Sequence, residues 1–133
     1  MTEFHLQIVT PDGIEFDGMA ESLLVKCECG DVEILAKHAD YFASLGTGRA
    51  RIKTADCARL ASASGGFLSV DKEAVRLVAT TFEFADEIDL KRAREAKEKA
   101  ERAISAAKND RELEVAKAKL TRALNRINIG EMK

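Results

Sequence analysis

Cys27, Cys29, Cys57 and His38 are the side chains best suited to hold a metal, since zinc takes four ligands of these two kinds. Their spacing argues against it: the C-x-C pair has no second paired motif, and burial as small hydrophobes is the commoner use of cysteine. No metal site is expected. Placed two apart on a strand, Cys27 and Cys29 would share one face about 7 Å apart, too far for a disulfide, so free thiols in a reducing compartment are expected. His5 and His38 have no nucleophile motif of the G-x-S-x-G kind beside them. Gly46-Thr47-Gly48-Arg49 has the wrong spacing for a phosphate-cradling P-loop, and Ser64-Gly65-Gly66 reads as a strand-edge turn. The chain should therefore have no catalytic residues of its own. Two further groups carry charge rather than reactivity. Asp89 and Arg92 read as a helix cap and a surface ion-pair partner. Lys117, Lys119, Arg122 and Arg126, with Glu114 the only acid between Leu113 and Asn128, read as a solvated cationic face or a docking surface for an acidic partner segment.

The elements that must position these residues fall into two parts. Phe4 to Val9 alternates and ends at the turn Thr10-Pro11-Asp12-Gly13. Leu24 to Cys29 and Val32 to Leu35 form a hairpin about Gly30-Asp31. Shorter runs follow at Ala50 to Lys53, Ala58 to Ala63, Gly66 to Val70 and Ala74 to Ala79, in the manner of an antiparallel sandwich or barrel that must close on itself to find a core. At Phe84-Ala85-Asp86-Glu87 the period of two gives way to a helical one, which puts the domain boundary there: residues 1–85 as a β-domain, 86–133 as helices. The fold class is α+β, an N-terminal antiparallel β-sandwich or flattened barrel followed by an antiparallel two-helix hairpin. Asp86 or Asp89 caps a first helix over Leu90 to Lys108. Asn109 and Glu112 form a capping box for a second over Arg111 to Ile129, which Gly130 stops. The 133 residues are 46% apolar and 33% charged, with no apolar run near the roughly 20 residues a membrane span needs. The start, Met1-Thr2-Glu3, lacks the cation of a secretory signal, so a cytoplasmic protein is expected. Residues 1–85 carry 8 Lys and Arg against 13 Asp and Glu; residues 86–133 carry 13 against 10. That weakly basic second part is too interleaved with Glu to suggest nucleic acid, and an acidic protein surface suits it better.

On the first helix Ala93, Ala96, Ala100, Ala103 and Ala107 recur at heptad spacing, and Leu113, Ala116, Leu120, Ala123 and Ile127 do so on the second. Alanine favours helix, yet each buried methyl contributes only about 0.8 kcal/mol. Strong helices with marginal pairing suit a hairpin that opens without unfolding, provided another surface receives it.

The segment Ile88-Asp89-Leu90-Lys91-Arg92-Ala93, the run Ser64-Gly65-Gly66-Phe67-Leu68-Ser69-Val70 and the stretch Arg122-Ala123-Leu124-Asn125-Arg126, in this order of domains, closely resemble the epsilon subunit family of bacterial rotary F-type ATP synthases. The resemblance spans the chain. It implies a sandwich of about ten strands that binds the foot of the gamma subunit and the membrane c-ring, and a hairpin that regulates ATP hydrolysis. It implies regulatory ATP binding at Ile88, Asp89, Arg92 and Ala93, with Glu83 upstream and Arg122 and Arg126 on the second helix. It implies that Asp31 to His38 face the rotor ring, and that Lys117, Lys119, Arg122 and Arg126 meet acidic C-terminal segments of the beta subunits when the hairpin extends. The chain is then a peripheral protein on the cytoplasmic side of the cell membrane.

Two departures stand out. Some ATP-binding relatives have arginine where this chain has Lys99. Where the family loop reads L-G-I-L-P-G-H-x-P, this chain has Val32-Glu33-Ile34-Leu35-Ala36-Lys37-His38-Ala39-Asp40, which loses both prolines and both glycines but keeps His38. Without the resemblance, the residues also fit a stand-alone adaptor that grips a partner coiled coil with its helices, or a thiol or zinc enzyme.

Overall fold

Alternation shapes the first strand: Phe4, Leu6, Ile8 and Thr10 of β1 (Phe4–Thr10) are buried, with the residues between them turned outward. The computed structural model describes residues 2–132, so Met1 and Lys133, the outer ends of the two expected domains, lie outside the described residues. After the turn at Pro11 and Asp12 come β2 (Gly13–Ala20), β3 (Ser22–Cys27), β4 (Gly30–Leu35), β5 (Tyr41–Lys53), β6 (Ala58–Val70) and β7 (Val75–Phe84). They form one sheet in the order β2-β1-β7-β6-β5-β3-β4. Neighbours run antiparallel except β1 and β7, which are parallel with Leu6 opposite Val75 and Ile8 opposite Leu77.

The sheet is a sandwich of seven strands, fewer than the ten implied by resemblance, and it is folded rather than closed. Among the described residues β2 and β4 stand at its two ends without pairing to each other. Glu21 alone links β2, at one end, to β3, next to the other; such a link reaches only about 7 Å, so the ends must be brought together. The crease that allows this is visible in the burial pattern. Buried apolar positions switch parity between Leu45 and Ala50 on β5, between Ala63 and Leu68 on β6, and between Ala79 and Phe82 on β7. These three places are level with one another in the register, Thr47 opposite Ser64 and Ser64 opposite Thr81. Three strands thus change the face they bury along one line, as sandwich strands do when they turn a corner. Gly65 and Gly66 sit on that line at φ 73° and 93°, and a Cβ on Gly66 would overlap the Val78 carbonyl oxygen. The Ser64-Gly65-Gly66 segment is therefore an internal crease of a 13-residue strand, not a strand-edge turn. One apolar cluster drawn from all seven strands, β2 contributing Ala20, fills the sandwich.

Residues from Ala85 onward form a second unit. A single 3-10 turn (Ala85–Glu87) leads to α1 (Leu90–Ala106), and α2 (Asp110–Glu131) returns. Asp89 caps α1 by accepting from the Arg92 N–H at 3.2 Å. Asn109 caps α2 through the Glu112 N–H at 2.8 Å, while the Glu112 carboxylate reaches back to the Lys108 N–H at 2.8 Å. On α2 the expected seam holds: Ala116 and Ala123 are buried, Leu113, Leu120 and Ile127 half-buried. On α1 it is displaced. Ala93 and Ala100 are buried, but Ala96 and Ala103 are exposed, and half-buried Lys97 and Ile104 occupy the seam positions between and beyond them. Gly130 does not stop α2, which continues to a cap at Met132.

Candidate functional site

The start of α1 carries four of the nucleotide-binding candidates, Ile88, Asp89, Arg92 and Ala93. Asp89 and Arg92 are exposed, one turn apart, with the Asp89 carboxylate already engaged by the Arg92 N–H; its remaining lone pairs and the Arg92 guanidinium stay open to solvent. Ile88 and Ala93 are buried, at 4% and 0% exposure, so these two signature residues work by packing rather than by presenting a side chain to a ligand. A Cβ added to Gly130 would lie 2.7 Å from Leu90 Cδ2 and 3.1 Å from Ile88 Cγ2, which shows how closely the last turn of α2 rides on this segment. Arg94 and Glu131 pair across the two helices at the same end, 3.3 Å apart. The structure thus brings Ile88, Asp89, Arg92 and Ala93 together and adds Leu90, Gly130 and Glu131, which sequence reasoning passed over. Glycine near a helix end looks like a stop signal until the opposite helix is placed against it.

The four docking candidates on α2, Lys117, Lys119, Arg122 and Arg126, do not form one face. At 100° per residue Lys119, Arg122 and Arg126 fall within about 60° of one another, whereas Lys117 points more than about 130° away from each. Lys119 is exposed; Arg122 and Arg126 are half-buried. Val115, 49% exposed, lies in the same stripe as Lys119, Arg122 and Arg126. Glu83, the remaining nucleotide candidate, is the penultimate residue of β7 in the first unit.

The ring-facing candidates lie on the β3–β4 hairpin and beyond it. Asp31 is exposed on β4, two residues past the two-residue turn Glu28-Cys29. Cys29 is in that turn rather than on the strand with Cys27, so the two thiols do not share a strand face, and all three cysteines are free. Burial pushes the Cys27 thiol up, with Cys29 and Asp31 adding to the effect. A hydrogen bond between the Tyr41 hydroxyl and the Cys29 sulfur, 3.8 Å apart, raises the Tyr41 phenol. Lys37 holds φ 63° where the family loop has glycine, and His38 follows it. The His38 Nδ1 is buried without a hydrogen-bond partner among the described residues, its ring edge-on to Phe4 with centroids 5.9 Å apart. This ring borders an open cavity of about 460 Å³ that His5, Met19, Lys37 and Asp71 also line. Backbone N–H groups of Ala74 and Glu73, then the Arg76 guanidinium, hold the Asp71 carboxyl below its usual range.

An exposed aromatic pair was not legible in the sequence. Phe42, 67% exposed, stacks on Phe67 at 5.3 Å, a meeting made only by the register of β5 with β6. The zinc quartet does not assemble: among the described residues no three His, Cys, Asp or Glu side chains gather in a way that could hold a metal. No helix among them is long and apolar enough to cross a membrane.

Comparison with known proteins matches both units. Residues 3–85 match the family described as ATP synthase, Delta/Epsilon chain, beta-sandwich domain, and residues 86–131 the corresponding long alpha-helix domain. An ATP synthase epsilon chain of Ruminococcus albus is 37% identical, with all of both chains covered; one of Halalkalibacterium halodurans is 35% identical over 98% of each. Among solved structures, a chain of the Euglena gracilis mitochondrial ATP synthase OSCP/F1/c-ring assembly superposes with a TM-score of 0.80 at 18% identity, covering 100% of this chain and 83% of that one. A chain of the Tetrahymena thermophila ATP synthase central stalk and c-ring gives 0.62 at 14% identity, covering 97% of each. At those identities the two structures speak to the fold alone. Two consecutive domain matches, full-length relatives above 30% identity and a shared fold agree, and the chain belongs to the ATP synthase delta/epsilon chain family.

Proposed function

We propose that this chain is the epsilon subunit of a rotary F-type ATP synthase, a non-catalytic part of the central stalk. Its sandwich couples gamma to the c-ring, and its hairpin acts as an ATP-sensitive brake on hydrolysis. The observation that carries the first half is the end-to-end match of both units with epsilon chains. The exposed Phe42–Phe67 stack and the Asp31 to His38 segment give the sandwich apolar and polar surface for protein partners. In this reading the protein stays at the cytoplasmic side of the membrane through the ring alone.

The brake follows from weak pairing. Four buried alanines, Ala93, Ala100, Ala116 and Ala123, form the centre of the seam, so a ligand binding only the closed hairpin shifts the balance by RT ln(1 + [L]/Kd). ATP suits the residues of the helical unit: Arg92 and Arg126 fork onto phosphate oxygens, Arg122 adds charge, and Asp89 accepts from the adenine amino group. At low ATP the hairpin extends along gamma, where Lys119, Arg122 and Arg126, with Lys117 on another side of the helix, engage acidic beta-subunit segments. Isothermal titration of the chain with ATP tests this. Arg126→Ala should weaken binding about tenfold, the worth of one charge-assisted hydrogen bond; equal affinity of variant and parent rejects the assignment.

A further inference from the structure

Ile88 is the one large side chain of the Ile88–Ala93 segment that is almost wholly buried, at 4% exposure, so a nucleotide-contact reading does not explain it. Where a side chain on Gly130 would begin, Leu90 Cδ2 lies 2.7 Å away, Ile88 Cγ2 3.1 Å and Leu90 Cγ 3.3 Å. Gly130 is itself buried, and its neighbour Ile129 is among the most completely covered large side chains of the chain. Its backbone is regular helix with no positive φ, so glycine is not required there for conformation. Alanine is the better helix former at a position with helical backbone. The one evident use of the glycine is the space its missing side chain leaves for Ile88 and Leu90.

We propose that Gly130 is a positioning residue for nucleotide binding: the last turn of α2 seats on Ile88 and Leu90, and this seat holds Asp89 and Arg92 in their binding geometry. The proposal rests on the reading of ATP as regulatory ligand. Closing the seat and forming the site are then one event. Ile88 contributes as the floor of the seat, and Arg94 with Glu131 spans the same end from outside. ATP binds the seated hairpin alone, so its apparent affinity scales with the fraction of molecules that are seated.

Gly130→Leu fills the seat without touching Asp89, Arg92, Arg122 or Arg126. Leucine is the better helix former, so α2 by itself should gain; loss of closure would have the opposite sign from the propensity effect. Amide hydrogen exchange over residues 88–93 and 126–131 should be about tenfold faster in the variant, and ATP affinity by titration about tenfold weaker. Adding Leu90→Ala moves the leucine volume from one side of the contact to the other and should restore most of both. Unchanged exchange and affinity in Gly130→Leu, or failure of the double variant to recover, overturns the proposal. If Gly130→Leu loses its helical signal outright, the double variant decides by the same criterion. A parent chain that gives no heat with ATP sinks the nucleotide reading, and with it the link to binding, while the exchange comparison still decides whether the seat exists.

Discussion

The displaced seam of α1 gives a prediction in which two substitutions of the same kind must differ. Ala100 is 3% exposed and Ala103 is exposed, yet an alanine heptad reading puts both in the seam. Ala→Gly in a helix interior costs about 1 kcal/mol through propensity alone, wherever the residue faces. Removing a buried methyl adds about 0.8 kcal/mol, which applies to Ala100 and not to Ala103. Ala103→Gly should therefore destabilise the hairpin by about 1 kcal/mol and Ala100→Gly by nearly 2 kcal/mol. Because the hairpin is a unit of its own, a global unfolding curve blurs this difference, and native-state amide exchange of the helices reads it directly. The second variant should exchange about fourfold faster than the first. Equal acceleration in the two, or a larger effect at Ala103, would refute both the register of the seam and the claim that methyl burial holds the helices together.

Other outcomes follow from single contacts. Asn109→Ala removes the cap on the Glu112 N–H and should cost about 0.5 to 1 kcal/mol, the low end for an exposed cap, seen as earlier thermal loss of helical signal. The Asp71 carboxyl is depressed below its ordinary 3.8 in the folded chain, so its contribution is present in full above that pH and is lost as pH falls through the folded value. Asp71→Asn should flatten the acid limb of a stability profile below about pH 4 and leave its shape unchanged near neutrality. Cys29 and Cys57 should alkylate in the native chain, with Cys27 protected by burial and its raised pKa until denaturant is added; mass spectrometry counts the three.

Local chemistry was legible and long-range pairing was not. The Asn109–Glu112 box, the β1 alternation and the α2 seam can each be read within a few residues, because the signal and the contact lie on one element. Alanine misled on α1: it is common in helices for its propensity wherever it faces, so Ala96 and Ala103 mimic a seam that Lys97 and Ile104 occupy. The strand β2 escaped because it buries only Ala20 fully and shows no clean alternation, and of β5 only the Ala50 to Lys53 end was legible because Gly46 and Gly48 punctuate the rest. The parallel meeting of β1 with β7, the Phe42–Phe67 stack and the seat beneath Gly130 join residues far apart in the chain, and no window on the sequence contains both partners. The same holds for the candidate site: the run from Ile88 to Ala93 is readable as a string, its floor only as a structure.

That parallel pairing also sets an order of assembly. β1 is made first, yet one of its two neighbours is the last strand of the sheet, so its β7 edge stays open until residue 84 has been synthesised. The helices, whose partners are close in sequence, can nucleate quickly, while the sheet waits on its most distant contact. A chain cut short before Val75 would leave β1 with unpaired N–H and C=O groups along an apolar strand, a template for aggregation rather than a smaller working part.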